Sequence, residues 1–297
     1  MRTIVLIALL ANLTGCAAPF LTLSDSIATT GGRAVLAAYV EREPLLGVRK
    51  GVENTDVRFF VGDMPVGSAA SNDKGHVKID CVLAQLDLRE VTAKANWGDR
   101  VLTARGRMFD WNGGRPAIAV DVDHTVCDTD RDHLYFKAAD DSRPITGAAA
   151  TLTVLAADFE ILYLTARPHA FFSKTRTWLK SNGFPDGPLI MSPGWRSTFR
   201  QESYKRDTLR QLREYLPQIL IGIGDKPQDA EASRDNGMLA IQLQTKGEST
   251  SVGELRYVRN WSEIRRFFQE HRSLLTDLKR LHGCLEDGTI GDELAAP

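Results

Sequence analysis

Two periods of hydrophobic and polar positions divide the chain. From Arg33 to about Trp111 short segments rich in β-branched and aromatic residues alternate with turn residues. Arg33–Val40, Val57–Val61, Gly75–Leu83, Val91–Trp97 and Val101–Phe109 read as strands, separated by Pro44, Gly62-Asp63, Asn72-Asp73-Lys74-Gly75 and Gly98-Asp99. The alternation in His76-Val77-Lys78-Ile79 predicts one buried and one solvated face. About eighty residues of this kind predict a small antiparallel sandwich of immunoglobulin or transthyretin type, without a cluster of catalytic side chains.

After Asn112-Gly113-Gly114-Arg115-Pro116 the pattern changes. Ile118–Asp121, Phe159–Leu164, Pro188–Met191, Ile219–Ile223 and Leu239–Leu243 are nearly continuous apolar runs, as expected of strands buried on both faces of a parallel sheet. Helical stretches lie between them, around Thr146–Ala157, Ala170–Ser181 and Tyr204–Tyr215. Alternating β and α predicts an α/β fold, a doubly wound, Rossmann-like parallel sheet with its site at the carboxyl ends of the strands. The expected division is a leader at 1–15, a linker at 16–32, the sandwich at 33–112, the α/β domain at 113–283 and a frayed acidic tail at 284–297.

The N-terminus adds a compartment. Met1-Arg2, an apolar stretch from Thr3 to Ala11, and Leu13-Thr14-Gly15-Cys16 form a secretory leader whose end resembles the lipobox of bacterial lipoproteins. That resemblance implies a lipidated Cys16 and a membrane anchor on the periplasmic side. Ala17, where an Asp commonly signals inner-membrane retention, favours the outer membrane over the inner. The alternative is a buried first strand with an incidental Cys. Cys81, Cys127 and Cys284 then permit at most one intramolecular disulfide, or three isolated thiols.

The 297 residues carry 37 Lys and Arg against 38 Asp and Glu, a net charge of −1 that disfavours a nucleic-acid partner. The chemistry is local instead. The first apolar run ends in Asp121-Val122-Asp123-His124-Thr125, the second in Thr165, and the fourth in Gly224-Asp225-Lys226-Pro227-Gln228-Asp229; Lys205 lies in the helix before that fourth run. An isolated Asp-x-Asp is weak: it reads as a metal site, as a nucleophile and acid/base pair or, most commonly, as two solvated loop acids. In this order, and each at its expected strand end or helix, the elements resemble the haloacid dehalogenase superfamily of phosphohydrolases.

The resemblance implies Asp121 as nucleophile and Asp123 as general acid and base. It further implies Thr125, Thr165 and Lys205 on the phosphate, and Mg²⁺ held by Asp121, the Asp123 carbonyl, Asp225 and Asp229. Tyr163–Pro168, Thr177–Lys180, Gly183–Leu189 and Met191-Ser192-Pro193 narrow it to the lipin-type (LNS2) phosphatidate phosphatase domain over residues 118–245. Members of that group with the acid pair hydrolyse phosphatidate; members without it bind phosphatidate only. His124 stands where lipins carry Gly.

The 44 positions from Asp121 to Thr165 and the 40 from there to Lys205 leave no room for a cap domain, only for a short flap at Asp128–Pro144. Its charges read as solvated, and Arg167 reads equally as a phosphate contact or a surface residue. The expected function is hydrolysis of phosphate monoesters, with phosphatidate or a related lipid phosphate preferred. The alternatives are a broad periplasmic acid phosphatase or nucleotidase and a non-catalytic phosphatidate-binding module. Ile264, Phe267, Phe268, His271, Leu275, Leu278 and His282 follow helical spacing. Seven basic against three acidic residues lie between Arg256 and Arg280, so this segment covers the sheet or lies on an anionic membrane.

Overall fold

The computed structural model describes residues 19–29, 31–42, 50–83, 90–111, 113–128, 142–193, 201–244 and 251–295, with the side chains at 201, 202, 251 and 252 excepted. Cys16, the leader and most of the expected flap lie outside them. The chain forms two compact units, residues 1–110 and 111–297.

Among the described residues nine strands build the first unit: β1 (Phe20–Leu23), β2 (Ser26–Thr29), β3 (Arg33–Arg42), β4 (Lys50–Gly51), β5 (Asp56–Val61), β6 (Met64–Ala70), β7 (His76–Val82), β8 (Glu90–Trp97) and β9 (Arg100–Trp111). Pairing follows the path β1-β3-β2-β9-β8-β5-β6, with β4 and β7 also on β3. Alternate residues point into one core: Leu36, Ala38 and Val40 from β3, Val57, Phe59 and Val61 from β5, Val91, Ala93 and Ala95 from β8. Two strands, β1 and β2, fall within residues 16–32. The linker expected there is corrected, since Leu21, Leu23 and Ala28 are core residues. Strand β6 escapes the period because Pro65, Gly67 and Ser68 dilute it; it is an edge strand, largely exposed.

In the second unit β10 (Ala117–Val120), the short β11 (Cys127–Asp128) and β12 (Arg143–Pro144), β13 (Glu160–Pro168), β14 (Leu189–Ser192), β15 (Ile219–Gly224), β16 (Leu239–Leu243), β17 (Ser251–Val252) and β18 (Leu255–Val258) alternate with helices. The helices are α1 (Ala148–Leu155), α2 (Phe172–Ser181), α3 (Gln201–Arg213), α4 (Pro227–Arg234), α5 (Trp261–Glu270), α6 (Arg272–Leu275), α7 (Leu278–Glu286) and α8 (Ile290–Ala295). The main sheet runs β14-β13-β10-β15-β16-β18-β17, parallel from β14 to β18. Every residue of β10, β15 and β16 is buried, which accounts for their unbroken apolar character.

Successive side chains of β10 serve opposite faces. Ile118 and Val120 join Leu152 of α1 and Trp261 and Ile264 of α5 in one core. Ala119 lines a space with Leu209 of α3 and Ala232 of α4. The sheet is therefore covered on both faces: an α/β doubly wound fold. From β10 the chain moves outward to β13 and β14, then returns to β15 on the other side of β10. That reversal places a crevice at the carboxyl end of β10.

The C-terminal segment is three short helices rather than one. It breaks at His271 and again at Asp277, whose side chain accepts from the N–H groups of Lys279 and Arg280 and caps α7. Ile264, Phe267, Phe268, Leu275 and Leu281 are buried in the sheet core, so the apolar face covers the sheet. The tail is corrected as well, because α8 forms within it and Ile290 is buried. Cys81, Cys127 and Cys284 form no disulfide among the described residues, and Cys81 and Cys127 are buried. No helix among the described residues is long and apolar enough to cross a membrane.

Candidate active site

Asp121 and Asp123 follow β10 at the crevice. Asp121 is 6% exposed, and its backbone N–H donates to the Ile223 carbonyl (2.9 Å) of β15. The chain then turns tightly: His124 adopts φ +60° and its N–H donates to the Cys127 carbonyl (2.8 Å). A left-handed residue suits the Gly of lipins better than a His. His124→Gly is expected to raise stability by about 0.5–1 kcal/mol, measured by urea unfolding. Trp261 Nε1 donates to the Thr125 carbonyl (2.8 Å), tying α5 to this loop. Trp261→Phe keeps the apolar burial but orphans that carbonyl, an expected loss of about 1–3 kcal/mol in the same assay.

Three of the four expected cation ligands converge. One carboxylate oxygen each from Asp121, Asp225 and Asp229 lies within 4.8 Å of the others. Lys205 Nζ bridges Asp121 Oδ1 (2.7 Å) and Asp229 Oδ1 (2.6 Å). Asp229 sits in the first turn of α4, where the helix dipole favours an anion. Its packing also explains Gly224, since a Cβ there would stand 2.4 Å from the Asp229 Cβ.

Burial raises the Asp121 carboxyl to about 7, Lys205 opposing the shift while Asp229 and Asp123 add to it. Burial raises Asp225 too, reinforced by Asp229. Burial alone would lower Lys205, but Asp121 and Asp229 outweigh it and hold the ammonium charged, above the usual lysine range.

Three carboxylates and one ammonium leave a negative surplus in a desolvated site. Asp229 Oδ2 is buried without a hydrogen-bond partner. Oxygen donors, an orphaned lone pair and net negative charge fit a hard divalent cation such as Mg²⁺. Mg²⁺ is expected to raise the thermal unfolding midpoint of the wild-type chain and to leave that of Asp225→Ala unchanged.

The expected phosphate ligands are arranged differently. Thr125 is fully buried and its hydroxyl donates to Asp225 Oδ1 (3.3 Å), so it supports the carboxylate cluster rather than facing a phosphate. The Thr165 hydroxyl, at the end of β13, donates to Asp123 Oδ2 (3.3 Å). Lys205 reaches the nucleophile candidate directly. Arg167 is neither a surface residue nor an open phosphate contact: it is 5% exposed and paired with Asp123, Nη2 to Oδ1 at 2.8 Å. The sequence signal for it was its nearness to Thr165, two residues back in the same strand, and both side chains reach Asp123. The role of Trp261 carried no local signal.

Fold and site together define an α/β protein with an acidic cluster at a topological switch point. Residues 118–239 match the family model described as the LNS2 domain of PITM 1-3. That stretch runs from β10 to the start of β16 and holds every candidate residue just described except Trp261. With the site, the match supports a phosphatase-type function.

No curated protein matches the chain. Similar solved structures include a HAD-superfamily hydrolase from Ehrlichia chaffeensis, 15% identical over 52% of this chain and 97% of that one, with a TM-score of 0.38. The Pnkp1/Rnl/Hen1 RNA repair complex is 17% identical over 56% and 49%, with a TM-score of 0.37. The M1 domain from titin is 10% identical over 32% and 95%, with a TM-score of 0.24.

Proposed function

We propose that this chain is a Mg²⁺-dependent phosphomonoester hydrolase that works through an aspartyl-phosphate on Asp121, with phosphatidate or a related lipid phosphate as substrate. The observation that carries the reading is the placement of Asp121, buried and held by Lys205 at the switch point, two residues from a second carboxylate. An Asp121 oxygen attacks phosphorus as the ester P–O bond breaks, and Asp123 gives its proton to the departing ester oxygen. A water then attacks the acyl phosphate and gives its proton back to Asp123, releasing phosphate and restoring the Asp121 carboxylate. Asp121, the Asp123 carbonyl, Asp225 and Asp229 would hold Mg²⁺, which supplies charge neutralisation for the phosphoryl oxygens. Lys205 adds a fixed positive charge beside the nucleophile, and the Thr165 hydroxyl is a donor that an arriving phosphate can take over from Asp123.

The lipid substrate is supported by the LNS2 match and by the resemblance, in which binding-only members lack the acid pair that this chain keeps. A lipid anchor on Cys16, at the periplasmic face of the outer membrane, would hold the site beside such a substrate. The test is phosphate release by the full chain from phosphatidate in mixed micelles and from nucleotides, each with Mg²⁺ or EDTA. Release from phosphatidate, lost in EDTA, is the expected result. Release from nucleotides alone would make the chain a scavenging phosphatase, and binding of phosphatidate without release from any monoester would make it a lipid-binding module.

A further inference from the structure

Asp123 lies in a loop beyond its strand, and its side chain is 23% exposed. A proton donor so placed must still be held within a fraction of an ångström and some ten to twenty degrees of its working geometry. Arg167 is built to do that. Its Nε donates toward both Asp123 oxygens (3.0 Å each) and its Nη2 toward Oδ1 (2.8 Å). Its Nη1 donates to the Thr175 hydroxyl (3.3 Å) of α2, which anchors the far side of the guanidinium. Its backbone N–H donates to Thr165 Oγ1 (3.2 Å), and that hydroxyl donates to Asp123 in turn. One strand thus presents two side chains, two residues apart, to a single carboxylate. Burying a guanidinium to this depth costs several kcal/mol in desolvation, so the arrangement persists only because the pairing is close and the donors are matched.

We infer that Arg167 is a positioning residue that fixes the Asp123 carboxyl group for proton exchange, first with the departing ester oxygen and then with the hydrolytic water. This rests on the hydrolase reading above. A planar fork with donors to both carboxylate oxygens sets the orientation of the group, which a lysine ammonium cannot do.

Leaving-group dependence separates this role from phosphate binding and from plain structural support. An alkoxide needs a proton as it leaves; p-nitrophenolate does not. The ratio kcat/KM covers only the steps up to formation of the aspartyl-phosphate, so it isolates that proton. The full chain, wild type, Arg167→Gln, Arg167→Lys and Asp123→Asn, is assayed with phosphatidate in mixed micelles, glycerol 3-phosphate and p-nitrophenyl phosphate.

Arg167→Gln is expected to lose about 100-fold in kcat/KM on the alkyl esters and only a few-fold on the aryl ester. Asp123→Asn should show the same selectivity, and Arg167→Lys should recover part of the alkyl rate. Equal losses on alkyl and aryl esters, in Arg167→Gln or in Arg167→Lys should the former not fold, would overturn the positioning role, as would an unchanged alkyl rate. A wild-type chain inert toward all three esters would overturn the hydrolase reading itself.

Discussion

Asp121→Asn is expected to lose at least roughly a thousandfold in hydrolysis of every phosphomonoester, the scale on which removal of a nucleophile acts. It is also expected to lose a feature of the wild-type stability curve. Burial raises the Asp121 carboxyl from its ordinary value of 3.8 to about 7 in the folded chain, so folding favours its protonated form. Its contribution to stability is full below the unfolded value and disappears as pH rises through the folded one, because the unfolded chain then binds fewer protons. Wild type in EDTA should therefore lose stability between about pH 4 and pH 7. Asparagine has no proton to lose, and the variant should be flatter across that window. Urea unfolding at a series of pH values checks this, and identical slopes for the two proteins would contradict it. The site is then one where ionisation needed for chemistry costs stability.

Lys205→Met carries the second large effect. Lys205 is 7% exposed and bonded to two buried carboxylates, Asp121 and Asp229. Methionine fills most of the stem's volume but leaves both carboxylates without their cation. Breaking a buried pair from one side costs about 3–5 kcal/mol, and that loss is expected in urea unfolding at pH 7. The sign is fixed by the raised Lys205 value: the lysine's contribution is complete below its unfolded range and disappears only in strong alkali. Mg²⁺ should restore part of the loss, since a divalent cation on Asp121, Asp225 and Asp229 offsets the same surplus. A loss below about 1 kcal/mol would mean that the ammonium does not carry the cluster.

What the sequence revealed and what it concealed have the same physical origin. Strands β10, β15 and β16 were legible because burial on both faces demands unbroken apolar runs. Asp121, Thr165 and Asp225 were legible because each ends such a run. Lys205 and Asp229 followed from helices that flank β15. Strands β1 and β2 are four residues each, too short for a period to emerge. Edge strand β6 has no buried face to write a pattern.

Side-chain pairing was the larger blind spot. Nothing local says that Thr125 serves Asp225, a hundred residues away, or that Trp261 holds the Thr125 carbonyl from 136 residues away. Arg167 looked ambiguous because its partner, Asp123, lies 44 residues back in the chain and reaches it only through the pairing of β10 with β13.

The most direct test of the hydrolytic route combines the two carboxylates. Asp123→Asn lacks the base that clears the intermediate, while an aryl leaving group needs no acid to form it. Full-chain Asp123→Asn with p-nitrophenyl phosphate and Mg²⁺ should release a burst of nitrophenolate approaching the enzyme concentration, and acid quenching with peptide mapping should place the phosphoryl group on Asp121. A phosphoryl group on any other residue, or undiminished turnover by Asp121→Asn, would contradict the account.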